Sequence, residues 1–458
     1  MGSTRIDDLR YQLKREKAHI KSVRRRLKFV QLNKSRFQYQ KYLMKKDRKL
    51  LKNIGESFFK DLQPFLEPGT GDLKVIIPDD FSFVTGYNTA IRTIKQFATS
   101  LYEFPGQEIT LDFSSCKKAD SAALFVMQIV RLEIEERLIV LQGRIKTISV
   151  LPRLDVLPPK DRDVSRLLIV SGFPNKKPIA DTEGESTLEP INAMGYYKGT
   201  KSQKHYLENK KSVYSTKVVT YLDSCLGHHE YMLTDDEKQD IDGIIGEVLN
   251  NAEDHSGKNN WFMTANFSKE LFDTGDEEVG ELNLTIMNFG NTIYEAFVNT
   301  KNDNMKTYTD VCGYVEDIHS TEAGRRFSEE GLMVLATMQD QISRLKFAEP
   351  SRGTGTMRFI NSFLKLGDFE NKEKNFVPNL SIFSGKVHLK CDNIYKPFPK
   401  ETVYCLSLNA EQDLKQPPAE SHLMKLGEKF PGTLLSVKIY INKAHYDKKY
   451  GGPANGNI

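Results

Sequence analysis

The stretch Thr234–Gly257, TDDEKQDIDGIIGEVLNNAEDHSG, leaves its backbone the least choice in this chain. Thr234 followed three residues on by Glu237 is a capping box, in which each side chain satisfies a backbone N–H that the first helical turn leaves free. Gly257 suits the left-handed exit at the other end, so the spacing predicts a helix of about twenty residues. At about 100° per residue, Ile241, Ile245, Val248 and Ala252 share one face, which predicts packing on a sheet. Glu247, Asn251 and His255 recur at i, i+4 and i+8 along the edge of that face, with Asp254 close by. A carboxylate and a carboxamide one turn apart at the rim of a core suit a phosphate site. The carboxylate can take a proton from water, and the amide oxygen can ligate Mg²⁺, a hard cation. The same residues also describe an ordinary surface helix, so the reading turns on partners downstream.

A chain of 458 residues exceeds a single core, and two or three domains are expected. No run approaches the length and apolarity of a membrane span, and no secretory leader is evident, which predicts a cytoplasmic protein with no membrane partner. The cysteines are Cys116, Cys225, Cys312, Cys391 and Cys405. An odd, scattered set without C-x-x-C argues against a disulfide framework and a zinc site. The histidines show no H-E-x-x-H spacing, and His228-His229 reads as a loop pair.

Charge is unevenly placed. Residues 1–53 hold 18 Lys and Arg against 4 Asp and Glu, a balance of +14, whereas the remainder carries 47 against 57. A basic arm thus precedes an acidic body. Within residues 1–55, Ile6, Leu9, Leu13, Ile20, Val23, Leu27, Val30, Phe37, Met44 and Leu51 mostly fit a heptad seam, interrupted by Glu16, Lys34, Lys41 and Arg48. This predicts a long amphipathic helix or helical hairpin. It would pack on its own body or on a second copy, or bind a nucleic-acid backbone through Arg24-Arg25-Arg26 and Lys45-Lys46.

After Gly69-Thr70-Gly71 the pattern alternates: strand Leu73–Pro78, helix Gly86–Leu101, strand Glu108–Phe113, helix Ser121–Arg137, strand Thr147–Leu151, helix Asp161–Ser171. This is a small α/β layer over residues 70–175. The segment ITLDFSSCKKADSAALFVMQIV, with Asp112, Asp120 and Ser121, resembles the STAS family of anti-sigma-factor antagonists, as does PKDRDVSRLLIVSGF. The family's usual glycine after the serine is replaced by Ala122-Ala123. The resemblance implies that Ser121 is a phosphoacceptor; as chemistry, Asp120-Ser121 is equally a helix cap. The Lys/Pro/Glu-rich segment from Asn175 to Pro190 places a linker at 176–195. Tyr214–Leu222 alternates and predicts a strand.

Beyond the opening helix, Trp261–Ser268 and Glu281–Asn288 read as strands, the second ending in Asn288-Phe289-Gly290. A polar side chain at a strand end, backed by a glycine, can read a base edge. Ser351-Arg352-Gly353-Thr354-Gly355-Thr356 precedes an apolar helix and aims free N–H groups at an anion. FSGKVHLK and FPGTLLSVKIYI read as strands. Glu247/Asn251/His255, Asn288-Phe289-Gly290, Arg352-Gly353-Thr354-Gly355 and Gly432-Thr433 occur in the order of the ATP-binding domain shared by gyrase, histidine kinases and MutL, and the chain resembles this GHKL family over residues 196–443.

The resemblance implies roles residue by residue. Glu247 looks like the general base toward water, Asn251 like the Mg²⁺ ligand, and His255 lies on the same stripe. Asn288 stands where the family usually has an adenine-reading Asp, with Gly290 behind it. Gly353, Thr354, Gly355 and Thr356 resemble the glycine box that holds phosphates, Arg352 is a candidate phosphate contact, and Thr433 resembles the adenine-side threonine. A carboxamide satisfies adenine's donor and acceptor, so ATP is kept as the ligand. Residues 294–350 stand where the family's mobile lid lies, and 444–458 form a polar tail.

The expected architecture is α/β: basic helical arm, STAS-like layer, linker, then a GHKL-type two-layer sandwich with a mixed sheet. The expected function is a Mg²⁺-dependent ATPase switch, ATP ordering a lid and hydrolysis resetting a protein partner or homodimer. The alternatives are a serine protein kinase acting on Ser121 or on a partner, and a nucleic-acid-binding scaffold using residues 1–53.

Overall fold

The computed structural model describes residues 59–143, 151–171, 193–200, 208–227, 232–255, 260–271, 278–339, 355–366, 378–400 and 403–442, with a few single positions besides. The arm, most of the linker and the tail expected from the sequence lie outside the described residues, apart from helical positions at Lys14, Glu16, Lys17 and Lys21. Helices and strands interleave, as expected of an α/β chain.

The first unit runs β1 (Lys74–Ile76), β2 (Asp80–Phe81), α1 (Phe83–Glu103), β3 (Glu108–Asp112), β4 (Lys118–Ala119), α2 (Ser121–Gln142), β5 (Arg153–Leu157) and α3 (Arg162–Val170). Strands β1, β3 and β5 form a parallel sheet in that order, with Val75 opposite Leu111 and Leu111 opposite Val156. The strand predicted at 147–151 falls almost wholly outside the described residues, and the third strand is Arg153–Leu157. One carboxylate organises both long helices. Asp120 Oδ2 accepts Ser82 Oγ–H at 2.7 Å and Phe83 N–H at 2.6 Å, at the start of α1. Its Oδ1 accepts Ala123 N–H at 2.7 Å, capping α2. A carboxylate shared by two helix N-termini satisfies orphan donors of both and faces the positive ends of two dipoles.

The second unit runs β6 (Ala193–Thr200), α4 (Glu208–Gly227), α5 (Asp235–His255), β7 (Asn260–Leu271), β8 (Glu278–Phe289), α6 (Ile293–Asn299), α7 (Met305–Ser320), α8 (Glu329–Thr337), α9 (Gly355–Leu366), β9 (Asn379–Cys391), β10 (Phe398–Lys400), β11 (Val403–Cys405) and β12 (Leu423–Asn442). Its sheet has the order β6-β7-β8-β12-β9 and is antiparallel throughout. The mixed sheet expected of this unit is corrected: among the described residues its pairs are all antiparallel, and the parallel pairs lie in the first unit.

Two expectations are corrected here. The strand predicted at Tyr214–Leu222 is part of helix α4. Val218, Leu222, Cys225 and Leu226 are buried at helical spacing, and that face, packed on the sheet side of the core, overrides the local β-branched Val218-Val219-Thr220. The segment predicted as a mobile lid is, as far as Gln339, mostly helix α6, α7 and α8 built into the core. Val311, Val315 and Ile318 on α7 and Leu332 and Leu335 on α8 are buried, so freeing this segment would expose a core face.

The large sheet is covered on both faces, making it the middle layer of three. Alternate residues Trp261, Met263, Ala265, Leu284, Ile286, Leu435 and Val437 face a core shared with α4, α5 and α9. On the opposite face, Phe262, Met287, Leu434 and Phe383 are successive cross-strand partners and form one apolar row. That row belongs to a single buried cluster with the core of the first unit. Phe83 meets Phe383 with ring centroids 5.7 Å apart, and Tyr87 stacks on Phe383 at 5.5 Å. Each such buried ring contributes on the order of 2 kcal/mol by area. The next two rows turn polar: Thr264, Thr285, Ser436 and Ser381, then Asn266, Asn283, Lys438 and Asn379.

Candidate functional site

Helix α5 starts as its sequence requires. Thr234 N–H donates to Glu237 Oε2 at 2.9 Å, and Glu237 N–H donates to Thr234 Oγ1 at 3.3 Å. Ile241, Ile245 and Leu249 are buried, and Val248 and Ala252 pack against the same cluster. Glu247 and Asn251 are half-buried at the rim of that face, the position the helical spacing predicts.

At its C-terminal end α5 is tied to the sheet by Asn288, the penultimate residue of β8. Asn288 Nδ2 donates to the Ala252 carbonyl at 2.7 Å, and Asn288 Oδ1 accepts Thr433 N–H at 2.8 Å. Asn288 and Thr433 are direct cross-strand partners on β8 and β12. Asn251 immediately precedes the residue whose carbonyl Asn288 holds. Three residues separated by 182 positions are thus gathered at one end of the sheet.

The backbone there needs glycine. Gly432 has φ 139°, and a Cβ on it would sit 2.1 Å from the Asn288 carbonyl oxygen. Gly290 has φ 125° and donates its N–H to the Pro431 carbonyl at 3.3 Å. The two turns close over each other because neither carries a side chain on its facing side. Ser384 on β9 extends the polar set: its hydroxyl donates to the Gly432 carbonyl at 3.0 Å, lies 2.9 Å from Thr433 Oγ1, and accepts Ile293 N–H at 2.9 Å.

The remaining predicted residues divide in two. Helix α9 begins at Gly355 and packs against α5, so the start of the glycine-box helix lies on a helix adjoining the Glu247/Asn251 stripe. Arg352, Gly353 and Thr354, with the side chains of His255 and Thr356, lie outside the described residues.

Ser121 is corrected as an accessible phosphoacceptor. It is 6% exposed, and its hydroxyl accepts Asn266 Nδ2–H at 2.7 Å where α2 meets β7. Asn266 in turn accepts Asn283 Nδ2–H at 3.1 Å. The residue is a cap-adjacent serine buried in the seam between the two units.

Sequence reasoning passed over Ser384 and Asn260. Asn260 Oδ1 accepts Phe289 N–H at 3.4 Å, next to the Asn288 turn. Asn260 opens β7 and Ser384 lies inside β9, and a short polar residue in either place is too common a signal to select it. Among the described residues no helix is long and apolar enough to cross a membrane, and no three or more His, Cys, Asp or Glu gather as for a metal ion. No protein-family model matches the chain, and comparison with curated proteins and with solved structures gives no match.

Proposed function

We propose that the chain is a Mg²⁺-dependent ATP-binding switch of the GHKL type, with nucleotide lying between α5, the end of β8 and the middle of β12. The observation that supports this reading is the pair of hydrogen bonds that Asn288 makes with the Ala252 carbonyl and the Thr433 N–H, which holds a carboxamide beside the residue that follows Asn251. A carboxamide has two donors and two acceptor lone pairs, and each bond uses one. One N–H and one lone pair remain on a side chain that is 3% exposed, and they would complement adenine's N1 acceptor and N6 donor once the turn that covers them opens. Mg²⁺ fits the donor set as an ion held by one carboxamide oxygen, Asn251, together with phosphate oxygens and water, since no carboxylate cage is required. When bound, it neutralises phosphate charge.

Glu247, one turn before Asn251 on the same edge, would take the proton of an attacking water. Phosphates would extend toward the start of α9, whose free N–H groups favour an anion. Hydrolysis then resets the state offered to a protein partner or a second copy. The burial of Ser121 argues against a kinase that modifies its own first unit.

Phosphate release from Mg·ATP tests this. Glu247→Ala is expected to lower turnover at least about a hundredfold while nucleotide is still retained. An unchanged rate in that variant removes Glu247 from the chemistry.

A further inference from the structure

A second set of polar groups lies away from the Asn288 site, where the 406–422 loop leads into β12. His422 is 3% exposed, and its Nε2 lies 3.0 Å from Asp392 Oδ2. Its Nδ1 lies 2.8 Å from the hydroxyl of Ser421, which is exposed. Asp392 is 1% exposed and is held on its other sides by Lys390 Nζ at 3.0 Å and by the N–H groups of Ile394 and Tyr395 at 2.9 and 3.4 Å. The Tyr395 ring stands edge-on to the imidazole at 4.6 Å. Burial raises the Asp392 carboxyl, but the bonds from His422 and Lys390 win and hold it below the usual carboxylate range.

An ionised carboxylate only accepts, so Nε2 of His422 carries a proton, and in the neutral form of the ring Nδ1 offers its lone pair to Ser421. The loop that delivers the serine is built with strain. Leu408 and Gln412, at φ 58° and 51°, are the two non-glycine residues of positive φ among the described residues, and both lie in it. Asn409 pins the loop by donating to the carbonyls of Asp413 and Gln416 at 2.8 and 3.0 Å and accepting Asp413 N–H at 3.1 Å. Glu420, Leu423, Met424 and Lys425, which flank Ser421-His422 in the chain, line a cavity of about 410 Å³ with Arg326 and Phe327, within the range of small-molecule sites.

We propose that Ser421, His422 and Asp392 act as nucleophile, base and orienting acid, and that Ser421 is acylated by a small carboxylic ester held in the adjoining cavity. The Ser421 hydroxyl proton passes to His422 Nδ1 as the Oγ–carbonyl carbon bond forms. That proton then goes to the alkoxide as the ester C–O bond breaks, and an alcohol departs. Water attacks the acyl carbon, giving one proton to Nδ1, and the carboxylic acid leaves as the proton returns to Oγ. The ring is used in the sense opposite to the commonest serine hydrolases, with Nδ1 toward the serine, and the proton inventory is unchanged.

The test is reaction of the full-length chain with a fluorophosphonate probe, which phosphonylates activated serines with loss of fluoride, read by peptide mass spectrometry. Hydrolysis of p-nitrophenyl acetate is followed in parallel. The expected result is a single adduct on Ser421, with labelling and hydrolysis both lost in Ser421→Ala and slowed at least about a hundredfold in Asp392→Asn. Ser421→Ala is an exposed change and keeps the fold. If Asp392→Asn does not fold, the selectivity of wild-type labelling decides. Labelling of Ser421 no faster than that of other exposed serines, or hydrolysis unaffected by Ser421→Ala, overturns the proposal.

Discussion

Asn288 accepts the backbone N–H of Thr433 at 2.8 Å across β8 and β12, and this bond fixes which end of its carboxamide faces which chain. The nitrogen is left for the Ala252 carbonyl. An aspartate at this position would keep the first bond and lose the second, bringing a carboxylate oxygen against a carbonyl. The side chain that joins α5 to the sheet is therefore required to be a donor as well as an acceptor.

Asn288→Asp is expected to cost about 2 kcal/mol in unfolding free energy, because the buried Ala252 carbonyl loses its donor and meets charge. Asn288→Ala, which abandons both backbone groups, should cost at least as much. Urea titration of the three proteins checks the order; a loss below about 0.5 kcal/mol in Asn288→Asp would mean that the bond to Ala252 is dispensable.

Ser121→Asp should destabilise the chain by about 2 kcal/mol or more, because a carboxylate would enter the seam against Asn266. Ser121→Ala should cost about 1 kcal/mol, the price of leaving one amide hydrogen without its acceptor. Incubation with γ-labelled ATP and peptide mapping should place no phosphate on Ser121. Phosphate found there would show that the two units separate.

His388 supplies a pH dependence. It is 2% exposed, stacks on Phe383 at 4.1 Å and bonds to Ser381 Oγ at 3.1 Å. Burial, reinforced by Lys390 and His422, lowers its pKa from 6.5 to about 3. The folded chain binds the neutral ring, so between these values the unfolded chain holds the extra proton. Stability is whole above pH 6.5 and falls with decreasing pH toward about 3, by on the order of 1 kcal/mol per pH unit. His388→Phe keeps the stacked ring and removes the titration. Denaturant midpoints at pH 7 and pH 5 should converge in that variant relative to wild type; an identical pH slope in both proteins assigns the loss to other groups.

The parts of this fold legible in the sequence are those with local causes. The start of α5 follows from Thr234 and Glu237 alone, and its buried face from a spacing of three to four residues. The hairpin strands β7 and β8 show their alternation directly. Helix α4 was hidden because Val218-Val219-Thr220 favours a strand locally, and only the sheet beneath it decides the matter. Strand β12 begins at Leu423, eight residues before the Pro431-Gly432 signal, with register shifts at Lys425/Phe430 and Phe430/Thr433 that no local pattern announces. The second covered face depends on Phe262, Met287, Leu434 and Phe383 meeting in one row, a register set by pairing across 121 positions from Phe262 to Phe383. For the candidate site, Asn288 and Thr433 were legible as a pair of strand-end residues, but their bond to each other and to Ala252 is tertiary. Ser421-His422 gains meaning only from Asp392, thirty residues earlier.

Nucleotide binding at the Asn288 end of α5 is measured by isothermal titration of Mg·ATP into the full-length chain and into Asn251→Ala. The prediction is saturable one-site binding, weaker for Mg·GTP if the carboxamide pairs with adenine as proposed, and at least about tenfold weaker in Asn251→Ala. Heats equal to dilution at millimolar Mg·ATP, or identical affinity in Asn251→Ala, would contradict it.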